Sequence, residues 1–373
     1  MNNSLKTASA VLLSLLLTGG SVLGFADNDT NAEQKVMTID DAVAYTMENN
    51  RDIQIADFNI DKEALNKKES DKAYRDADNS SSSRYSTLSG KLVQKGYYKL
   101  LADLSYDLSI MQRDAVELGA TIETKSGFYT ILNKIQDVET RTVNLERAQK
   151  VYDIASRKLE MGLGTKQELL MADANLETAK LDLESAKDDL TFERMSFNKT
   201  LGLPLEDDVK LDGAIGFEIY PEVDLEEKET EALENRIDVI AADQAYEASK
   251  LKEEIYGYFY TPNVYDFKAV EYEERSAYNE LIDTEQEARL AVKKAYIDMK
   301  KAERAVFTLE KNVASMREVY RLSELTYEVG MSTQTELLQA QVDLETVELA
   351  YNQALLGYEL AKMSFEASYQ IGM

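Results

Sequence analysis

The chain has 373 residues, only three prolines, and no cysteine, histidine or tryptophan. Without Cys or His it lacks the means for a structural zinc site, a thiol nucleophile, a Ser-His-Asp triad or a disulfide. Only carboxylates, Lys, Tyr, Ser and Thr are left as catalysts, so no enzyme, cofactor or metal site is expected. It carries 42 basic and 69 acidic residues, a net charge of −27, which disfavours nucleic acid and anionic membrane surfaces as partners. That charge fits a solvated acidic surface, and it equally fits a water-filled passage with an acidic lining that favours cations.

Residues 1–26 read as a secretory signal. Lys6 supplies a short positive region, Ala8 to Leu17 is apolar apart from Ser9 and Ser14, and Gly24 and Ala26 suit a cleavage site. The competing reading, a membrane helix, needs a longer apolar run of roughly 20 residues.

After the signal the chain repeats itself. MENNRDIQIAD at 47–57 realigns with LENRIDVIAAD at 233–243, an offset of 186. Residues 162–197 realign with 330–365 at an offset of 168, with 14 of 36 positions identical and no gap. The order is the same in both copies, which predicts a tandem duplication: repeat 1 over 37–203, a linker over 204–222 and repeat 2 over 223–373. The second copy is about 18 residues shorter in its middle.

In repeat 1, the Ser-rich stretch 76–90 reads as an exposed loop. Ile131, Val138, Leu145, Tyr152 and Leu159 then recur every seven residues, a coiled-coil seam. Gly162 suits the left-handed residue that ends a helix. Thr165 and Glu168 form a capping box that starts the next one, and a helix over 166–201 would be about 54 Å long. The linker holds Gly and Pro and has room for short extended pieces.

Repeat 2 has a Tyr-rich segment at 257–272 containing Pro262, the best candidate for extended structure and a source of rings suited to a membrane interface. Val292, Met299, Val306, Val313, Tyr320 and Tyr327 form its seam. Gly330, Thr333 and Glu336 repeat the turn. On the following helix one apolar row runs through Leu337, Ala340, Leu344 and Val347, and a second through Leu338, Val342, Leu349 and Leu356. Two rows on one helix mean neighbours on two sides, as in the wall of a tube. The expected fold is therefore all-α: long antiparallel coiled-coil helices in two tandem repeats, with little or no β structure.

The Gly-x-x-Thr-x-x-Glu-Leu-Leu-x-Ala turn, the Leu-Glu-Thr helix after it, Leu-Gly-Leu-Pro at 201–204 and the two Glu-Asn helix starts resemble the TolC-like outer membrane efflux family over nearly all of 37–373. The resemblance implies three chains in a tapering helical barrel, working with a periplasmic adaptor (membrane fusion protein) and an inner-membrane ABC or proton-driven transporter. It implies an exported protein of the outer membrane or cell envelope. It places Glu336 at a constriction acid and Gln339 where a second carboxylate often sits. Tyr327 matches a tyrosine that latches the closed state, and Glu168 its acidic partner. The plainer alternative keeps Glu168 and Glu336 as capping residues and Tyr327 as one more seam residue.

One departure stands out. Family members carry two amphipathic strands per repeat, which close a membrane barrel, and a membrane strand needs about 9–11 alternating residues. Segment 76–90 has no such alternation, and 257–272 has room for one strand or a short hairpin. An exported coiled-coil scaffold or adhesin without a pore is therefore the alternative function. A hydrolase using carboxylate pairs such as Asp40-Asp41 or Asp188-Asp189 is the third, although acidic pairs on heptad helices are usually solvated faces.

Overall fold

The computed structural model describes residues 36–78 and 83–371; the predicted signal peptide lies outside them. Repeat 1 contains α1 (Ile39–Asn49), α2 (Arg51–Asp78), a short α3 (Leu88–Gln94), α4 (Tyr97–Glu160) and α5 (Lys166–Leu201). Repeat 2 contains α6 (Leu225–Asn235), α7 (Ile237–Gly257), α8 (Tyr265–Glu328) and α9 (Gln334–Gln370). The only strands among the described residues are β1 (Val36–Met37) and β2 (Lys210–Leu211), which pair in parallel.

α4 and α8 have 64 residues each, about 96 Å of helix at 1.5 Å per residue. No proline interrupts either one, and each buries apolar residues at heptad spacing. In α8 the predicted seam from Val292 to Tyr327 is buried throughout. Each long helix has an antiparallel partner on each half. For α4 these are α2 near its start, tied by Arg113 to Asp57 at 3.0 Å, and α5 near its end, tied by Lys134 to Asp189 at 3.0 Å. For α8 they are α7, tied by Lys252 to Glu273, and α9, tied by Arg317 to Glu348 at 2.9 Å. The α4–α5 and α8–α9 turns form a tip at one end. The α2–α4 and α7–α8 connections form a blunt end at the other.

The short helices α1 and α6 lie alongside the middle. In the Glu-Asn motifs, each break before the next long helix is an extended residue: Asn50, ψ 125°, and Arg236, ψ 130°. The Asn50 side chain accepts from the Asp52 and Ile53 amides, so it caps α2. Buried Arg236 grips Asp238 at 2.6 Å and the Ser368 carbonyl at 3.1 Å.

Two predicted features differ. Segment 257–272 is not extended. α7 runs to Gly257, seven residues turn the chain, and α8 begins at Tyr265. Val270, Leu281 and Ala288 are buried at helical spacing, and a helix is the only element that places all three on one face. The Ser-rich stretch is not loop throughout, since a 3-10 turn at 83–86 leads into α3. Thr87 caps α3 by accepting from the Gly90 amide at 3.1 Å, and Leu92 is buried. The residues of the predicted linker form a packed belt. Val209 and Ile215 join the mid-bundle core, Phe217 meets Tyr358 edge-on at 5.4 Å, and the Tyr358 hydroxyl donates to the Glu218 carbonyl at 2.7 Å. The one extended piece among the belt's residues is β2, which pairs with β1 ahead of α1.

Candidate functional site

The tip is built twice from the same local chemistry. Gly162 has φ +71° and Gly330 φ +78°, a region L side chains enter only at a cost. The amide after each glycine reaches back five residues: Leu163 N to the Lys158 carbonyl, and Met331 N to the Thr326 carbonyl, both 2.8 Å. These bonds satisfy carbonyls that the helix end leaves open. The chain then turns, and Thr165 and Thr333 cap α5 and α9. The Thr165 amide donates to the Glu168 carboxylate at 2.7 Å, and the Thr333 amide donates to Glu336 at 2.9 Å. Both predicted capping boxes are therefore in place.

Glu336 is exposed and Glu168 half-buried, with one carboxylate oxygen each on the capping bond. Gln339 is also exposed and donates to Asp343 at 2.8 Å. Glu336, Gln339 and Asp343 follow one another at helical spacing, so one face of α9 carries acids at 336 and 343. The acid that Gln339 lacks is present one turn further on. Sequence reading missed Asp343 because it compared position 339 alone; the i+4 spacing was the available signal.

Tyr327 is fully buried. Its hydroxyl meets no hydrogen-bond partner among the described residues, and it does not bond Glu168, whose carboxylate faces its own cap. Burial, and then the nearby Glu168 charge, raise the tyrosine's pKa. The residue that holds Tyr327 is Lys158, on α4. Its ammonium lies 3.6 Å from the ring centroid and donates to the Tyr327 carbonyl. Gln334, the first residue of α9, donates to the Glu168 carbonyl at 2.9 Å. The two tips are thus joined by Lys158 and Gln334, neither of which the sequence pattern singles out.

Above the tip a polar ladder joins α4 to α9. The Gln341 amide donates to Asn144 Oδ1 at 2.8 Å, and Asn144 donates to Glu345 at 2.7 Å. Arg141 bonds Glu345 at 2.5 Å and Arg147 bonds Glu348 at 2.9 Å. Asn352 bonds Asp137 at 3.2 Å and Thr140 at 3.1 Å. Burial raises the Glu345 pKa against the pull of Arg141. Burial would also raise that of Glu348, but the bonds from Arg147 and Arg317 outweigh it and lower the value. The arrangement offers no nucleophile and base in contact. It offers a rod of paired helices with a clamped tip.

No described helix is long and apolar enough to cross a membrane. Residues 267–365 match the family model described as outer membrane efflux protein. Solved structures share the fold. A membrane protein from Pseudomonas aeruginosa aligns at TM-score 0.72 and 15% identity, covering 90% of each chain. The outer membrane protein VceC of Vibrio cholerae aligns at 0.70 and 11%, over 90% of this chain and 96% of that one. The Campylobacter jejuni CmeC outer membrane channel aligns at 0.69 and 13%, over 89% and 85%. Among curated proteins none matches. The fold is that of the outer membrane efflux channels. The family model matches α8 and most of α9.

Proposed function

We propose that the chain is an export duct, three copies of which close a tube of helices across the cell envelope. On this reading an inner-membrane transporter, ABC or proton-driven, delivers substrate through a periplasmic adaptor to the clamped tip. The observation that carries the proposal is the second apolar face on the long helices. Leu181 and Phe192 on α5, and Leu290 and Ile297 on α8, are large, apolar and exposed, while the opposite faces of the same helices are buried in the chain. Helices wet on one apolar side are wall elements awaiting neighbours. Glu336 and Asp343 then stand at the mouth, where three copies would form acidic rings favouring cations.

Light scattering of the mature chain at micromolar concentration tests the assembly: trimers are expected, and a monomer at all concentrations contradicts the duct. Recordings in lipid bilayers test conduction, with Glu336→Ala expected to reduce cation preference. The blunt end supports a second reading, because its described connections, 83–96 and 258–264, contain no strand. A stable trimer that conducts nothing selects an exported envelope scaffold or adhesin instead.

A further inference from the structure

The net charge of −27 disfavours an anionic surface only where that charge is spread evenly, and at the blunt end it is not. From Tyr85 to Ala102 the chain carries Lys91, Lys95 and Lys99 and no acid, and from Ile255 to Tyr265 it carries no charge at all. The second run holds Tyr256, Tyr258, Phe259, Tyr260 and Tyr265 among its 11 residues. Lys268 follows on the first turn of α8. Against these four lysines stand Glu254 and Asp266, so residues 85–102 and 254–268 together carry +2. The last turn of α2, with Arg75, Asp76 and Asp78, leaves this end at +1.

The fold brings the two runs together, because the Lys95 ammonium lies 5.1 Å from the Tyr258 ring centroid. Lys99 is held between Asp103 at 2.5 Å and Asp71 at 3.4 Å. Lys91 bonds the neutral Gln94 side chain, and Lys95 and Lys268 are exposed and pair with no acid among the described residues. The rings beside them are bare: Tyr265 is 91% exposed, Tyr258 59% and Phe259 38%. We propose that this end docks on the surface of an anionic lipid bilayer, with the lysines on the headgroup phosphates and the rings at headgroup depth. Each lysine near such a surface strengthens binding about fivefold. Aromatic rings settle at the same level, their apolar bodies covered and the tyrosine hydroxyls wet. A soluble polyanion would engage the lysines and leave the rings in water, so a bilayer matches both parts of the patch. The seven residues of 258–264 are fewer than the about 9–11 of a single membrane strand, so this connection rests on the bilayer and does not cross it. A conducting duct and a silent scaffold would dock in the same way.

Flotation of the full chain with lipid vesicles tests the docking. Binding is expected to vesicles of phosphatidylcholine mixed with phosphatidylglycerol and not to phosphatidylcholine alone, and it should weaken about tenfold between about 50 and about 300 mM salt. Lys95→Gln together with Lys268→Gln should weaken it about 25-fold. Phe259→Ser together with Tyr265→Ser should weaken it about tenfold at every salt concentration, because the lost area is apolar. All four side chains are exposed, so folding is not at stake. No binding to either vesicle, or equal binding to both, overturns the proposal. So does binding that soluble polyphosphate abolishes and the aromatic variant leaves unchanged, which marks a polyanion site. Protein that high salt cannot release has inserted, which overturns it as well. Light scattering and bilayer recordings decide the duct separately.

Discussion

At the residue scale, the tip turns on what Tyr327 does with its hydroxyl. A buried hydroxyl without a partner costs stability, and deleting it costs nothing. Tyr327→Phe is therefore expected to leave the unfolding free energy unchanged or to raise it by up to about 1 kcal/mol, measured by denaturant titration. A loss above about 1 kcal/mol would mean that the hydroxyl bonds Glu168 after all. Lys158→Met removes a cation over the ring and a bond to the Tyr327 carbonyl, and is expected to cost about 1 kcal/mol. Hydrogen exchange should quicken at the end of α8.

Glu345 and Glu348 make an opposite pair one turn apart. The Glu345 pKa is raised above its ordinary 4.5, so its contribution is full below that value and is lost as pH rises through the folded-state pKa. The Glu348 pKa is lowered, so its contribution is present above 4.5 and is lost as pH falls through the depressed value. At about pH 7, Glu345→Gln should be no less stable than the parent. Glu348→Gln should lose about 2 kcal/mol, because Arg147 and Arg317 keep only a neutral acceptor, and that deficit should vanish towards acid. Equal behaviour of the two variants across the pH range counts against this assignment.

At the scale of elements, the turns were legible in the sequence because their chemistry is local. A glycine at positive φ and a Thr-x-x-Glu box depend on neighbours three to six residues away, and Gly162, Thr165, Gly330 and Thr333 all stand where the motif put them. Gly330→Ala would place a Cβ in open space, so only the backbone conformation is penalised, at about 1 kcal/mol. Thr333→Ala should cost about the same through the lost cap. Exchange at the first-turn amides of α9 separates the two, since only the second variant exposes the Glu336 amide. The belt at 204–222 was less legible, because Pro and Gly mark irregular backbone but do not say what that backbone touches. Tyr358 decides it, donating to the Glu218 carbonyl and accepting from the Tyr220 amide at 2.9 Å. Tyr358→Phe should cost about 2 kcal/mol and speed proteolysis near Tyr220 while leaving the tip unchanged. The Tyr-rich segment misled for a related reason: aromatic residues favour strands, but the apolar spacing that begins at Val270 is helical.

At the scale of the whole molecule, the heptad rows made the paired long helices legible. They did not reveal that Val151 and Ile154 of α4 are covered while Val319 and Leu322, at the matching positions of α8, stay exposed. A heptad pattern reports which side of a helix is apolar, not which element arrives to cover it. The ladder was invisible for the same reason: Asn144, Arg141, Glu345 and Glu348 are ordinary surface types until two distant helices bring them together. Net charge adds a constraint that acts on assembly rather than on the fold. Each chain carries −27, so copies that assemble side by side repel one another. Salt screens such repulsion over a Debye length of about 10 Å at 0.1 M, while apolar contacts are not weakened by it. Association should therefore tighten as salt rises from about 20 to about 500 mM, the reverse of an interface held by complementary charge. Sedimentation velocity across that range reads the effect directly. Oligomers that dissociate as salt is added would show that complementary charge, not apolar contact, holds the copies together.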